Sequence, residues 1–209
     1  CGSCTKTCPL DVFRLETAQE QISPCMAACP AGVDIRGNHY LIQQGNLDEA
    51  ARNYLAVQPF PAITGRVCFH PCESACARAR VDSAVNINAV EHVLGDWAAQ
   101  MPLEKPVRRH ISKVAVVGSG PAGLSCAWFL ALMGYPVTVF EARPFPGGML
   151  RYGIPAYRLP DEVMELQIRK FRDAGVEFVC SGKIGGNGWL TGLKAEGFRA
   201  VVLAVGTSR

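Results

Sequence analysis

The sequence of 209 residues has no apolar run long enough to cross a membrane. Its strongly apolar stretches, around Val114 to Val117 and Trp128 to Met133, fall short of the roughly 18 residues a spanning helix needs. It has little net charge: 21 Lys and Arg against 18 Asp and Glu, a formal +3, which makes no electrostatic case for nucleic acid or a membrane surface. Low-complexity tracts and internal repeats are also missing. With 49% hydrophobic residues the chain can bury a core, which excludes disorder. The sequence begins at Cys1 and lacks the basic flank, apolar run and small-residue cleavage site of a signal peptide. The expectation is a soluble, cytoplasmic chain, a piece of something longer, forming one large domain or two small ones.

What the sequence has in quantity is cysteine. Eight of its ten cysteines, Cys1, Cys4, Cys8, Cys25, Cys29, Cys68, Cys72 and Cys76, lie in the first 76 residues. Dense cysteines staple small secreted domains but serve metals or catalysis inside cells, and nothing in this sequence suggests secretion. Cys1-x2-Cys4-x3-Cys8-Pro9 equals the last three cysteines of the bacterial ferredoxin run C-x2-C-x2-C-x3-C-P. Such short loops let backbone amides wrap an iron-sulfur cluster while several thiolates reach neighbouring irons. Cys25-x3-Cys29-Pro30 repeats the ending, and Cys68-x3-Cys72-x3-Cys76 sets three thiolates on successive turns. Zinc is the alternative, although it favours two separated C-x2-C pairs; disulfides are the other. Cys126 and Cys180 sit in apolar patterns and read as small buried hydrophobes.

Between the cysteine groups, Val33, Ile35, Tyr40, Leu41 and Ile42, then Leu47, Ala50, Ala51, Tyr54 and Leu55 predict two short helices joined near Gly45-Asn46. A further helix is predicted over about Asn86 to Gln100, and the proline-bearing, basic stretch Met101 to His110 reads as a linker. From Ser112 the pattern alternates: strands at Lys113 to Val117, Val137 to Glu141, Val176 to Cys180 and Ala200 to Ala204, with helices at Pro121 to Met133 and Asp161 to Asp173. Alternation of this kind argues for a parallel sheet covered by helices. The fold class is therefore a small all-helical domain followed by a Rossmann-like α/β domain.

The strongest motif is Gly118-Ser119-Gly120-Pro121-Ala122-Gly123, which follows an apolar strand and opens a helix; Glu141 ends the next strand 23 positions after Gly118. That is the context of a dinucleotide fingerprint. Gly118 allows the tight turn, Gly120 lets backbone approach a pyrophosphate, Gly123 lets helix and strand pack, and the helix N-terminus faces the phosphates. Glu141 can accept from both hydroxyls of an adenosine ribose and repels a 2′-phosphate, so FAD and NAD fit and NADP does not. Downstream, Ala142 and Arg143 lead to Gly147-Gly148-Met149 and Arg151. The Gly-Gly pair permits close approach to a large ligand, and Arg143 or Arg151 can either meet its phosphates or lie solvated on the surface. Ala204, Gly206 and Thr207 turn the chain at a strand's carboxyl end, where open α/β sheets bind ligands.

From about Cys25 to Thr207 the sequence resembles the iron-sulfur flavoprotein family of the glutamate synthase small subunit, also seen in the N-terminal part of dihydropyrimidine dehydrogenase. The resemblance is carried by Pro59-Phe60-Pro61, Thr64-Gly65-Arg66-Val67-Cys68, His70-Pro71-Cys72-Glu73 to Cys76, Gly118 to Leu124, Gly147 to Leu150, Gly153-Ile154-Pro155 and Arg158-Leu159-Pro160. It implies FAD on the Gly118 to Glu141 fold and [4Fe-4S] clusters on the helical domain. Electrons would pass between NAD(P)H, FAD and clusters to a partner subunit or a ferredoxin-like module, within a hetero-oligomeric complex. Hydride transfer needs no acid or base, so no catalytic side chain is expected. The alternative is a structural or relay subunit without NAD(P)H activity of its own.

Carried over by position, one cluster takes Cys29, Cys68, Cys72 and a non-cysteine ligand at Glu91; the other takes Cys25, Cys76 and an upstream C-x2-C pair. Here the sequence departs from the family, because the positions of that pair hold Thr17 and Glu20. Either the second cluster is absent, or Cys1 and Cys4 supply it, or Cys1, Cys4 and Cys8 belong to an upstream ferredoxin module; Cys8-Pro9 and Asp11-Val12-Phe13 favour the last. The expected division is residues 1–16 as the end of that module, 17–105 as the helical [4Fe-4S] domain and 111–209 as the first half of the FAD domain. The resemblance places an NAD(P)H domain after the Ala-x-Gly-Thr segment, so the expectation is a fragment or a subunit completed by another chain.

Overall fold

A computed structural model describes residues 22–206, which form two compact units dividing between Ala99 and Gln100. The expectations for Cys1, Cys4, Cys8 and Thr207 lie outside the described residues.

The first unit is helical. Its described elements are α1 (Pro24–Ala27), α2 (Ile35–Gln43), α3 (Leu47–Val57), α4 (Pro61–Val67), α5 (Pro71–Ser74), a 3₁₀ turn (Ala77–Arg80) and α6 (Ile87–Gln100). Asp34 caps α2, its carboxylate accepting from the Gly37 N–H at 2.9 Å, which satisfies a donor the helix cannot satisfy itself. Gly45 takes φ +79° and turns the chain, and Asp48 and Glu49 sit in the first turn of α3, where the helix dipole favours negative charge. Of the apolar pattern read from the sequence Ile35, Ala50, Ala51, Tyr54 and Leu55 are buried, joined by Ile63 of α4 and by Ile87, Leu94 and Ala98 of α6, whereas Tyr40 stays exposed at 63%. The sequence reading omitted α4. It is seven residues long and begins with Pro61 at its first position, where a missing N–H costs nothing, but seven residues are too few for a clear period.

Two glycines set how α4 and α6 pack. A methyl group at Gly65 would lie 2.5 Å from the His92 Cα, and one at Gly95 would lie 2.4 Å from the Pro61 carbonyl oxygen. The helices thus touch backbone to backbone at two places one turn apart. Arg66 then clamps Asp96 with two hydrogen bonds of 2.6 and 2.9 Å.

The second unit holds β1 (Lys113–Val117), α7 (Pro121–Leu132), β2 (Val137–Phe140), α8 (Met149–Tyr152), α9 (Asp161–Asp173), β3 (Val176–Val179), α10 (Trp189–Ala195) and β4 (Phe198–Leu203). The four strands are parallel, in the order β3-β2-β1-β4, as a Rossmann-like half-sheet requires. Trp128 of α7 packs edge-on against Phe171 of α9, ring centres 5.3 Å apart, and Leu124, Met164, Ile168, Val116 and Val137 complete a fully buried core. α10 covers a smaller cluster of Ala115, Leu193 and Phe198. The sequence reading missed α10, whose Gly188 to Gly192 stretch reads as a loop. Among the described residues no helix is long and apolar enough to cross a membrane.

Candidate functional sites

In the helical unit, short elements carry the cysteines to their places. Cys29 follows α1, Cys68 caps the end of α4 and Cys72 lies in the first turn of α5. His70, held left-handed at φ 44°, directs its backbone N–H to the Cys68 sulfur at 3.3 Å. Burial, partly offset by the Glu73 N–H, raises the Cys72 thiol to about 11, with the charges of Cys29, Glu73 and Cys68 adding to it. Burial likewise raises Cys68 despite the His70 N–H, and Glu91 and Cys29 press in the same direction. Tyr54, 2% exposed, is raised by burial and by Glu91, Cys29, Cys72 and Cys68. Cys29, Cys68, Cys72 and Glu91 are therefore one electrostatic neighbourhood, walled by Tyr54.

This donor set fits a cluster. Thiolate and carboxylate are the forms that bind metal, so metal entry displaces the protons that burial and mutual repulsion hold on these groups. Among the described residues, no three His, Cys, Asp or Glu side chains form a group able to hold one metal ion.

Helix α6 organises the surroundings. The Glu73 carboxylate accepts from the Asn88 N–H at 2.8 Å, tying α5 and Cys72 to its first turn. Glu91 Oε1 accepts from the Thr64 hydroxyl at 2.5 Å and from Gln58 Nε2 at 3.0 Å. Burial raises the Glu91 carboxyl, against the pull of these two hydrogen bonds. The sequence motifs did not single out Gln58 as a functional residue. Cys25 and Cys76 line a separate open cavity of about 750 Å³ in the same unit, with Met26, His39 and Ile87. The Val85 N–H lies 3.5 Å from the Cys76 sulfur and the Ser23 hydroxyl 3.4 Å from that of Cys25.

In the second unit, a pocket of about 270 Å³ opens at the carboxyl ends of the strands. Its walls include Gly118, Ser119, Gly120, Pro121, Glu141, Ala142, Arg143, Gly148, Met149, Ala204 and Gly206, joined by Tyr152, Gly182, Lys183 and Ile184. Gly118 has φ +104°, and a methyl there would lie 2.2 Å from the Ala204 carbonyl oxygen, so β1 and β4 close on each other only over glycine. A methyl on Gly123 would come within 2.0 Å of the Gly118 oxygen. Gly120 differs: nothing lies within 4 Å of a methyl placed on it. Its bareness leaves open space at the N-terminus of α7. Gly148, at φ +51°, would place a methyl 2.6 Å from the Gly120 Cα, so the Gly-Gly segment closes one wall of that space.

Glu141, 8% exposed, is fixed by several donors. The Ser119 hydroxyl and N–H both donate to Oε2, the latter at 3.1 Å, and the Arg143 N–H donates to Oε1 at 2.9 Å. Burial pushes this carboxyl up, but the donors outweigh it and the net shift is downward. It stays ionised, with acceptor capacity beyond these three bonds. Ser119, which the motif leaves unspecified, is wholly buried and also accepts from the Gly147 N–H at 3.0 Å, coupling the fingerprint turn to the Gly-Gly segment. The structure turns Arg151 to other partners: it bonds Glu165 at 2.6 Å and the Pro146 carbonyl at 2.9 Å. Arg143 lies over the Tyr152 ring at 4.3 Å and stays on the pocket wall. Lys183 and Ile184 join the wall because β3 ends beside β2, a neighbourhood that local sequence cannot show.

Comparison with known proteins agrees with both units. Residues 17–103 match the family model of dihydropyrimidine dehydrogenase domain II, 4Fe-4S cluster, and residues 116–175 that of an NAD(P)-binding Rossmann-like domain. The chain is 40% identical over 207 residues to the NADPH-Fe(3+) oxidoreductase subunit beta of Geobacter sulfurreducens, covering 96% of this chain and 30% of that one. It is 37% identical to the NAD-dependent dihydropyrimidine dehydrogenase subunit PreT of Escherichia coli, over 89% of this chain and 46% of the relative. To the glutamate synthase [NADPH] small chain of Bacillus subtilis it is 36% identical, over 94% and 44%. The chain thus spans between 30% and 46% of the length of these curated relatives. A 4Fe-4S match followed by a Rossmann-like match, with homologues named glutamate synthase small chain and PreT dihydropyrimidine dehydrogenase subunit, makes the chain similar to this group of oxidoreductase subunits.

Proposed function

We propose that this chain is the electron-transfer portion of an NAD(P)H-dependent oxidoreductase, holding FAD in the second unit and [4Fe-4S] clusters in the first. The observation that carries the reading is the carboxyl-end pocket, where bare Gly120 and ionised Glu141 meet, in the same chain as the Cys29, Cys68, Cys72 and Glu91 neighbourhood. A flavin bound there would supply exchange between hydride and single-electron chemistry, and iron-sulfur clusters would supply one-electron carriage.

The chain's own residues then have definite tasks. The N–H groups at the start of α7 donate to a pyrophosphate brought close by Gly120. Glu141 accepts from ribose hydroxyls with its remaining lone pairs and repels a 2′-phosphate. Gly147 and Gly148 hold the opposite wall close, and Ala204 and Gly206 finish it. Cys29, Cys68 and Cys72 hold irons as thiolates and Glu91 as a carboxylate, while Tyr54 keeps water from one side. Cys25 and Cys76 are the contribution of this unit to a second cluster. Residues 17–105 and 111–209 as the two cofactor domains, with NAD(P)H bound beyond this chain and a redox partner taking the electrons, belong to the same proposal.

The test is a ligand titration of the apoprotein with FAD, NAD and NADP. FAD binding with a stoichiometry near one, and at least tenfold tighter than either nicotinamide nucleotide, supports the reading. Tighter binding of NAD than of FAD would make the pocket a nicotinamide site and overturn it.

A further inference from the structure

Glu91 is held in an unusual way: both of its hydrogen bonds fall on one oxygen. Thr64 and Gln58 both donate to Oε1, and Oε2 accepts no bond from any described side chain. The donors are themselves fixed in direction. The Phe60 N–H donates to Gln58 Oε1 at 2.6 Å, so the other end of that amide is its NH2 group. One of its hydrogens goes to Glu91, and the other to the Thr64 hydroxyl oxygen at 2.6 Å. With that oxygen accepting, the single Thr64 hydrogen is free to bond Glu91, the nearest of its acceptors; the Phe60 and Pro61 carbonyls lie at 3.1 and 3.4 Å. A threonine and a glutamine thereby form a closed relay that ends on one carboxylate oxygen.

The backbone holds this relay in register. Thr64 stands next to Gly65, where α4 touches the His92 Cα of α6, so Thr64 and Glu91 face each other across the tightest part of the helix contact. Cys68 follows one turn later on the same short helix. The distance between a cysteine at the end of α4 and the carboxylate on α6 is therefore set by the same contact that sets the relay.

We propose that Thr64 and Gln58 are positioning residues for an iron-sulfur cluster: by saturating Oε1 they keep Glu91 a one-oxygen ligand and present Oε2 to one iron. The inference rests on the proposed cluster at Cys29, Cys68, Cys72 and Glu91, and gives a reason for a carboxylate in a thiolate set. A glutamate free to turn would bind through either oxygen or leave the iron to water, whereas the relay allows one mode. Partners of this kind behind a metal ligand typically change metal affinity by about 10- to 100-fold when removed.

The experiment uses the full-length protein, purified anaerobically. The variants are Glu91→Ala, Thr64→Val, Thr64→Ser and Gln58→Glu, the last keeping an acceptor for the Phe60 N–H while losing the donors to Glu91. The readouts are the electron paramagnetic resonance spectrum of the reduced protein and the rate at which a ferrous chelator strips iron. Glu91→Ala identifies the cluster by the signal it changes. Thr64→Val and Gln58→Glu are expected to shift that same signal and to speed stripping about 10- to 100-fold, with Thr64→Ser close to the parent. In the Glu91→Ala background Thr64→Val should add nothing, an outcome that a merely structural role does not produce. If Glu91→Ala leaves iron content and spectrum unchanged, the ligand reading falls and this inference with it. If Glu91→Ala changes the signal while Gln58→Glu and Thr64→Val do not, or if the effect of Thr64→Val persists undiminished without Glu91, the ligand stands and the positioning role is overturned. Should Thr64→Val fail to fold, Gln58→Glu and Thr64→Ser decide by the same signal.

Discussion

Replacing Gly120 separates ligand space from fold more cleanly than any other change in the fingerprint. At φ −70° the residue is in a conformation every amino acid adopts, and nothing stands within 4 Å of an added methyl. Gly120→Ala should therefore change stability by no more than about 0.5 kcal/mol. It should also push a pyrophosphate away from the N–H groups of α7. Each hydrogen bond to a charged group contributes about 1.5–3 kcal/mol, so losing one weakens binding roughly tenfold or more, and the larger Gly120→Val should abolish it. Gly118→Ala is the contrast. A side chain at φ +104° is strained, and its methyl would meet the Ala204 oxygen at 2.2 Å, beside the Ala204 N–H bond to the Val117 carbonyl at 2.8 Å. That change should cost about 3 kcal/mol or more from backbone strain and the displaced strand end. The assay is flavin per polypeptide after anaerobic purification, with a thermal melt of parent and variants in their flavin-free forms, because bound flavin would itself raise the parent's melting temperature. Gly120→Val is expected to melt like the parent and to carry no flavin, and Gly118→Ala to melt lower. A folded Gly120→Val protein that retains flavin absorbance would refute the reasoning.

Other perturbations bear on the supporting geometry. Gly65→Ala drives a methyl into the His92 Cα and should lower stability by about 1–3 kcal/mol, measured by denaturant unfolding of the apoprotein; an unchanged midpoint would mean that α4 and α6 do not touch there. Glu141→Gln tests the depressed carboxylate. A native value below the unfolded one stabilises above the unfolded value of 4.5 and ceases to do so as pH falls through the native value. The variant should therefore melt below the parent at pH 7, with the gap closing on acidification below pH 4.5; a constant gap would contradict this. Lys170, 2% exposed, gives its ammonium to the Met101 carbonyl and is lowered by burial from 10.5. Its burden is full below the lowered native value and vanishes as pH rises to the unfolded value. Lys170→Met should match or exceed the parent in melting temperature at pH 7 and lose ground toward pH 10.5, so a variant gaining ground with rising pH would show the opposite linkage.

How much of this was legible in the sequence differs between the units. The strands and the two long helices of the second unit announce themselves by apolar runs and by glycine spacing, and β1 and α9 begin and end at the residues read from sequence. The wall of the pocket was half legible. Gly118, Gly120 and Glu141 follow from local order, while Lys183 and Ile184 reach it only because β3 pairs beside β2. For Arg151 the local sequence leaves a phosphate contact and a solvated surface role open, and its engagement by Glu165 from α9 is not local. In the helical unit the cysteine spacing was plain, but α4 and α5 are too short to show a period. The Gln58, Thr64 and Glu91 relay joins residues 33 positions apart, which only the α4 and α6 contact brings together.

The central claim is that one chain carries iron-sulfur clusters and flavin together, and quantitation of iron, acid-labile sulfide and flavin in the anaerobically purified protein tests it most directly. About four irons and four sulfides for the site at Cys29, Cys68, Cys72 and Glu91, about eight if Cys25 and Cys76 also hold a cluster, and twelve or more with an intact upstream ferredoxin module, each with one flavin, are what the account predicts. A protein with no iron or sulfide would return the cysteines to zinc or disulfides, and the electron-transfer account would be wrong.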